Sequence, residues 1–279
     1  MIATPVTRER LLHVVKILPA APQILAQLGT LLLDMNSGLT EVTELLRRDS
    51  GLTARIIRVA NSSVYNKGTP LASLEEALAR VGFKEVYRLT GFAAVAQISE
   101  QKLPLYGYTG AQLRENSLLT ALMMETLAPV AGIEPRLAYT AGLLRSTGKI
   151  ALDRIMRDDA SGSGFELQST PLAQREIAAA GLHNCAAAAT ILDEWRFPEE
   201  MIAGIRDHYM LKETSGPLAS LLNLAAGEAD RCDVGLTGES EYWALFPGKL
   251  AAARVTEEQL QAATTKARAL FETLRTVVG

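Results

Sequence analysis

Apolar residues recur along most of this chain at intervals of three, four and seven, a spacing that places them on one face of an α-helix. Leu25, Leu28 and Leu32 form one such stripe, whereas the alternation typical of strands is hard to find. Hydrophobic residues make up 48% of the 279 residues and aromatic residues only 5%, so aliphatic side chains dominate the apolar content. These side chains favour closely packed helices. The sequence therefore predicts an all-α protein.

The helical periodicity is interrupted twice, and the interruptions suggest how the chain is organised. The first lies near residue 105, and the second is a glycine-containing stretch before the last helix. We predict an N-terminal helical subdomain over residues 1–105, a second over 106–231, and an irregular segment with a closing helix over 232–279. Because the links are short, the two subdomains are expected to pack closely together.

Local signals predict where individual elements begin and end. Ser73 and Glu76 form a capping box, in which the hydroxyl and the carboxylate each accept from a free amide at a helix start. Residues 34–38 are expected to connect two helices, and the small, polar stretch 157–170 is expected to be an exposed, mobile loop. Later helices are predicted at 109–127, 136–144, from about 150, 178–196, 199–209, 217–231 and 257–277.

Charge and composition exclude several classes of function. The net charge of −3 offers no broad attraction for phosphate backbones, so nucleic acid is not an expected partner. No cleavable leader and no uncharged apolar run of membrane-spanning length is apparent, so we expect a cytoplasmic protein without membrane insertion. Cys185 and Cys232 lack the spacing of a metal site or a disulfide framework. No cofactor is expected.

The segment Ala141–Ile150 is the most informative part of the chain. It resembles the Gly-Leu-Leu-His-Asp-Ile-Gly-Lys segment of HD-type phosphohydrolases, in which the adjacent His and Asp ligate a divalent metal. In this chain Arg145 and Ser146 stand at those two positions. A guanidinium stays protonated and has no lone pair to donate, and a neutral hydroxyl is a poor substitute for a carboxylate. The ligand pair is therefore absent.

The other ligand positions that this resemblance implies are also changed. The upstream His position holds Asn116, and the late Asp position holds Ala226. A further frequent His aligns with Asn184, next to His183, and a downstream His pair appears as His208-Tyr209. We therefore expect no metal and no catalytic residue, and we interpret His183 and His208 as helix-surface or internally bonded imidazoles.

Several motifs in family order resemble the HDOD family, a helical relative of the HD phosphohydrolases. The resemblance spans roughly residues 11–230 and implies an all-helical domain of bacterial signalling proteins, usually without demonstrated hydrolysis, whose second subdomain resembles the HD bundle. The motifs are Ile17–Pro22, Arg48–Arg55, Val59–Tyr65, Ser73–Ala77 with Gly82, and Trp195–Pro198. The signature positions within them are Asp49, Arg55, Asn61, Ser62, Tyr65 and Trp195.

Local bonding explains some of these signature residues without any ligand. Asp49 is expected to cap the helix containing Leu52, and Asn61 to tie down the turn before Tyr65. Arg55 is expected to pair with Asp49, with contact to an acidic partner as the alternative.

Three functions follow from these observations. The first is a non-catalytic regulatory module that contacts unidentified signalling proteins. The second is a phosphohydrolase with an atypical site at Asn116, His183, Asn184 and His208. The third is a binder of an anionic, nucleotide-like ligand at Arg145 and Lys149. The competing interpretation is that Arg145 makes an internal salt bridge. The six residues expected around this vestigial pocket are Asn116, Arg145, Ser146, Lys149, Asn184 and His208.

Overall fold

The computed structural model describes residues 5–32, 38–66, 68–100, 102–159 and 170–278. Within these ranges the chain is helical and contains no β-strand, apart from an isolated bridge between Leu103 and Tyr108. The all-α prediction is confirmed. The helices are α1 (Arg8–Ile17), α2 (Ala21–Leu31), α3 (Leu39–Leu46), α4 (Ser50–Ala60), α5 (Leu74–Ile98), α6 (Gly110–Ala131), α7 (Pro135–Leu144), α8 (Thr147–Asp158), α9 (Leu172–Ala180), α10 (Asn184–Glu194), α11 (Glu199–Asp207), α12 (Pro217–Ala229), α13 (Pro247–Ala252) and α14 (Glu257–Val278).

The predicted capping box at the start of α5 is confirmed. The Ser73 hydroxyl accepts from the Glu76 amide at 3.2 Å, and the Glu76 carboxylate accepts from the Ala72 and Ser73 amides. Thr109 and Gln112 form the same reciprocal arrangement at the start of α6. Each cap satisfies amides that would otherwise lack a partner and contributes about 1 kcal/mol.

Two helices end at glycines, at positions that differ from the predicted helix ends. The single helix predicted over 178–196 is wrong, because Gly181 adopts a left-handed conformation (φ 82°) that ends α9, and α10 begins only at Asn184. The helix predicted over 109–127 is longer in the structure, since α6 continues through Pro129 to Ala131 and is capped by Gly132 (φ 69°). The predicted connection at 34–38 and loop at 157–170 fall mostly on residues 33–37 and 160–169, which lie outside the described residues.

One continuous apolar core joins the helices from Val6 to Leu274. Helix α5 packs against α2, α3 and α4, while α6 packs against α7, α12 and α14. Gly142 permits the closest of these approaches, because a Cβ there would lie 2.6 Å from the Ala121 Cα. Helix α1 packs on α8 and α10, so the first helix contacts the second half of the chain. The division at residue 105 remains a prediction.

The stretch between α12 and α14 is more structured than the predicted irregular segment. A π-helical turn follows α12 at Asp230–Val234, a 3-10 turn spans Ser240–Tyr242, and α13 follows. This stretch passes under the ends of α7 and α11, where it contributes to the site described below. In the described ranges no single helix has the length and apolarity to cross a membrane; only the pair α1 and α2, bent by 86°, meets these criteria together.

Candidate functional site

The six residues expected around the vestigial pocket come from four different parts of the fold. Asn116 lies on α6, Arg145 and Ser146 join α7 to α8, and Lys149 follows in the first turn of α8. Asn184 and His208 lie at the start of α10 and the end of α11. The structure buries all six side chains. They do not line an open pocket.

Glu239 is the residue that closes this region, and the sequence analysis did not identify it. Its two carboxylate oxygens accept from Arg145 Nη1 and Nη2 at 3.2 and 2.8 Å, a bidentate pair. Lys149 Nζ and the Tyr209 hydroxyl each donate to Oε1 at 2.5 Å. Arg145 Nη2 also donates to the Asn116 side-chain oxygen at 2.6 Å. We call Asn116, Arg145, Lys149, Tyr209 and Glu239 the Glu239 network.

Close backbone packing positions the cations of this network. A Cβ at Gly148 would lie only 1.9 Å from the Asn184 carbonyl oxygen, so only glycine lets α8 approach α10 this closely. The approach brings Lys149 Nζ to 3.3 Å from the Asn184 side-chain oxygen. Glycine at this position of the Gly-Lys frame is therefore required by helix packing, with no metal involved.

A second buried carboxylate extends the Glu239 network through Asn184. Glu176 accepts from the Asn184 backbone amide at 2.8 Å, and Asn184 Nδ2 donates to its two carboxylate oxygens at 2.9 and 3.0 Å. The Tyr106 hydroxyl donates to the same carboxylate at 2.7 Å. Burial raises the pKa of Glu176, although Lys149 and these donors oppose the rise. The region thus contains two cations and two carboxyl groups.

Electrostatics favour the charged form of the central pair. Burial raises the pKa of Glu239, but Arg145 and Lys149 outweigh burial and hold that pKa well below its usual value. Burial lowers the pKa of Arg145, but the charge of Glu239 outweighs burial and raises that pKa above its usual value. The guanidinium therefore stays protonated. The internal ion pair that the sequence left as the alternative for Arg145 is present in the structure.

His208 is neutral in this environment. Burial, followed by the charge of Arg145, lowers the pKa of His208 to about 3. Its Nδ1 lies 2.7 Å from the Ile205 carbonyl oxygen, a contact that assigns the ring proton to Nδ1. Nε2 then carries a lone pair and has no hydrogen-bond partner among the described residues. The ring stacks against Trp243 at 6.2 Å between centroids.

Residues 236–243, which we call the Glu239 segment, cover the network with aromatic rings. Trp243 lies over the Arg145 guanidinium, 5.7 Å from the ring centroid. Tyr242 stacks on Tyr209 with centroids 4.3 Å apart. Buried aromatic faces beside cations add cation–π attraction to the ion pairs and exclude water. The segment therefore seals the region.

These residues do not fit the divalent metal that the HD resemblance implies. The two central positions hold a guanidinium and a hydroxyl, the Asn116 oxygen already accepts from Arg145, and Ala226 has no donor atom. Among the described residues, no group of three or more His, Cys, Asp or Glu side chains is placed to hold a metal. The Arg145 guanidinium and the Lys149 ammonium group at the centre would repel a divalent ion.

The signature positions of the first subdomain serve local structure. The Asp49 carboxylate accepts from the Leu52 amide at 2.8 Å, which makes it the predicted helix cap. The Asn61 side-chain amide donates to the Leu71 carbonyl at 2.8 Å, and its oxygen accepts from the Leu71 amide at 2.7 Å. Asn61 therefore holds a later turn than the one expected. The predicted Arg55–Asp49 pair is wrong, because Arg55 reaches the more distant Glu100 at 2.7 Å.

The remaining signature positions are also held within the fold. The Tyr65 hydroxyl donates to Glu85 at 2.9 Å, and Trp195 lies in the apolar core. The Ser62 hydroxyl is buried without a hydrogen-bond partner among the described residues. No structural reason for a serine at that position emerges from these contacts.

The fold and the site together define an all-α protein with a buried internal ion-pair network in the segment that resembles the HD ligand segment. Comparison of the sequence with protein families gives a match to the HDOD domain over residues 18–211. The chain belongs to the HDOD domain family. None of the curated proteins matches it.

Solved structures share this fold at low sequence identity. An HDOD domain protein from Geobacter sulfurreducens is 19% identical with a TM-score of 0.67, and the match covers 94% of this chain and 92% of that one. A protein of Shewanella amazonensis SB2B named "Putative phosphohydrolase" is 22% identical, with a TM-score of 0.65 and 94% of each chain covered. A "Putative signal transduction protein" from Marinobacter aquaeolei VT8 is 19% identical with a TM-score of 0.68, covering 94% of this chain and 58% of that one.

Proposed function

We propose that this chain is a non-catalytic regulatory module that acts in signal transduction through contact with a protein partner. The observation that carries the proposal is the Glu239 network, in which Arg145 and Lys149 are bound to a carboxylate of the same chain. Hydrolysis of a phosphate ester in an HD-type site requires a metal-activated water, and the network offers a metal no ligand set.

The contacts of the four residues count against the alternative phosphohydrolase site. The Asn116 oxygen accepts from Arg145, and the Asn184 side chain is engaged by Glu176 and Lys149. His183 caps α10 and is only half-buried. Within the described ranges this leaves unpaired ring nitrogens at His183 Nδ1 and His208 Nε2, and two neutral imidazoles without a carboxylate bind a divalent metal weakly.

The family relation supports a signalling role. The match to the Marinobacter aquaeolei protein spans 58% of that chain, so in that protein the shared fold is accompanied by further sequence. A domain whose HD ligand positions carry Arg145 and Ser146, which are not metal ligands, is suited to transmit a conformational state. Several large apolar side chains exposed to solvent offer contact area for a partner, among them Phe83, Met210 and Phe246.

Metal analysis and a hydrolysis assay on the same purified protein test the absence of catalysis. After dialysis we expect less than stoichiometric Mn, Fe, Mg and Zn, and no phosphate release from a panel of nucleotides and cyclic dinucleotides with added divalent metals. His208→Gln serves as the matched variant, because it removes the fully buried, unpaired imidazole nitrogen of the site. One equivalent of metal per chain together with phosphate release that this variant abolishes would overturn the proposal.

The partner half of the proposal needs a separate experiment. Candidate signalling proteins captured on the intact chain are purified and their affinity is measured directly, in the presence and absence of the nucleotide panel. The proposal expects at least one micromolar or tighter complex that persists without nucleotide. If none of the purified candidates binds, the proposed mode of action is wrong.

A further inference from the structure

The Glu239 network contains a complete set of anion donors. Four donor groups converge on one carboxylate: the two Nη atoms of Arg145, Nζ of Lys149 and the hydroxyl of Tyr209. A guanidinium fork beside an ammonium group is the donor combination that proteins use to bind phosphate and carboxylate oxygens. The present occupant, Glu239, satisfies that chemistry from within the chain.

The donors and their occupant belong to different parts of the sequence. Arg145, Lys149 and Tyr209 lie within residues 18–211, which match the family, whereas Glu239 lies beyond them. Arg145 and Glu239 are 94 residues apart in the chain. The family domain therefore carries the anion-binding groups, and a following segment supplies the anion.

The Glu239 segment is attached in a way that permits it to leave as a unit. Its backbone turn bonds run within the segment, from the amides of Glu239, Tyr242 and Trp243 to the carbonyls of Leu236, Glu239 and Ser240. Its bonds to the surrounding helices instead use side chains. The Tyr108 hydroxyl donates to the Thr237 carbonyl, and the Asn223 amide donates to the Tyr242 carbonyl. Displacement would therefore leave the hydrogen-bond ladders of the helices intact.

We propose that Arg145, Lys149 and Tyr209 form a binding site for the phosphate or carboxylate group of a small ligand, and that Glu239 occupies this site until the ligand displaces it. Departure of the Glu239 segment uncovers the guanidinium beneath Trp243 and the ammonium group beside Tyr209. The inference rests on the proposed function, because it gives the regulatory module an input signal that is bound and not hydrolysed.

The site without its internal anion is tested with the variant Glu239→Gln and inorganic phosphate. Glutamine keeps the shape but leaves two buried cations without a carboxylate, so phosphate should raise the Tm saturably, by about 5 °C at high occupancy, relative to sodium chloride of equal ionic strength. Glu241→Gln is the matched control, because Glu241 lies in the same segment but accepts from the Leu172 amide and not from the cations.

Two results of this titration would decide the inference. A response of Glu239→Gln that disappears in the double variant Glu239→Gln with Lys149→Met supports the site, since Lys149 is one of the donors. A response no larger than that of Glu241→Gln overturns it.

The displacement itself is tested on the wild-type protein, which also covers the case in which Glu239→Gln does not fold. Hydrogen exchange is followed with inorganic pyrophosphate and with chloride of equal ionic strength. We expect faster exchange at the amides of Leu172 and Ala173, which donate to the Glu241 carboxylate and the Tyr242 hydroxyl of the segment, and no change at the Val255 amide, which bonds Leu250 outside the segment. Unchanged exchange at Leu172 and Ala173 overturns the inference.

Failure of the two proposals looks different. If pyrophosphate neither binds nor displaces the segment, the chain remains a non-catalytic module without this input. If instead phosphate release and stoichiometric metal are found, the proposed function fails whatever the exchange data show.

Discussion

Two charged clusters hold this fold together, and they differ in charge balance and in access to solvent. In the first, Arg88 bonds Glu85 and makes a bidentate pair with Glu125 at 2.8–3.0 Å, with side chains that retain 11–24% exposure. In the Glu239 network two cations share one carboxylate, and the side chains of its ion pairs are at most 1% exposed. Water can compensate a lost partner in the first cluster but not in the second.

The two clusters also differ in how much they contribute to the stability of the fold. The Arg88 cluster links α5 to α6 near the surface, where ion pairs contribute little because solvent competes for each charge. The Glu239 network joins α6, the α7–α8 junction, Tyr209 just after α11 and the Glu239 segment. Its strength depends on completeness, since each buried charge is tolerated only while its partner is present.

Removing Glu239 should produce the largest loss of stability. Glu239→Ala leaves Arg145 and Lys149 buried with an uncompensated charge, and we expect the free energy of unfolding to fall by about 3 to 5 kcal/mol. Urea denaturation monitored by circular dichroism measures the loss. Glu213→Ala, at an exposed position, should stay within about 0.5 kcal/mol of wild type. A loss below about 1 kcal/mol in Glu239→Ala would remove the contrast between the two clusters.

The packing that positions the cations should be nearly as sensitive. In Gly148→Ala the new methyl group would fall 1.9 Å from the Asn184 carbonyl oxygen, so α8 and α10 must separate. We expect a loss of about 3 kcal/mol in the free energy of unfolding from overpacking. Gly216→Ala is the matched control, because a Cβ there meets nothing within 4 Å. Equal denaturation midpoints for the two variants would show that α8 and α10 do not need this contact.

His208 should make stability depend on pH between about 5.5 and 7.5. Its pKa is lowered to about 3 in the folded protein, whereas an unfolded histidine titrates near 6.5, so below that value only the unfolded chain takes up the proton. The free energy of unfolding should therefore fall by about 1.4 kcal/mol between pH 7.5 and 5.5 through this residue. Stability measured across this range in His208→Gln should lose that component.

His13 provides the control for this pH dependence, because it is exposed. His13→Gln should keep the wild-type slope, and a slope that disappears in His13→Gln but not in His208→Gln would contradict the account. Glu239 does not contribute to the pH dependence between about 5.5 and 7.5. Its pKa is lowered in the folded protein, so the stability that its charge contributes is lost only as the pH falls below about 4.5.

The Arg88 cluster should respond least. Glu125→Gln keeps the side-chain shape and removes one of two carboxylates around Arg88, while Glu85 and water remain to compensate the guanidinium. We expect a loss of about 1 kcal/mol in the free energy of unfolding, and a smaller loss in 1 M salt. Losses as large as those of Glu239→Ala would show that solvent access does not distinguish the clusters.

Local signals in the sequence predicted the parts of the fold that depend on neighbouring residues. The cap at Ser73 and the Asp49 cap follow from side chains that bond amides three residues away. The end of α9 at Gly181 was missed because alanine-rich sequence continues on both sides of that glycine and preserves the helical pattern. Arg55 was assigned the nearer acid, while tertiary packing brings Glu100 to it.

The sequence identified the cations at the centre of the site but not their carboxylate, because the carboxylate is brought there by tertiary packing. Arg145 and Lys149 stand in a motif whose frame identifies them as buried positions, and buried cations require a carboxylate. The need for a carboxylate could have indicated that an acidic residue lies nearby, but it does not show which residue of the sequence this is. Only the path of the chain from α12 through the π-helical turn brings residue 239 beneath Arg145.

A double-mutant cycle between Arg145 and Glu239 tests the central claim most directly. The free energies of unfolding of wild type, Arg145→Met, Glu239→Gln and the double variant give the coupling between the two side chains. If the two residues form the buried ion pair at the centre of the Glu239 network, the double variant should be more stable than additivity predicts by about 2 kcal/mol or more. Additive losses within about 0.5 kcal/mol would contradict the claim.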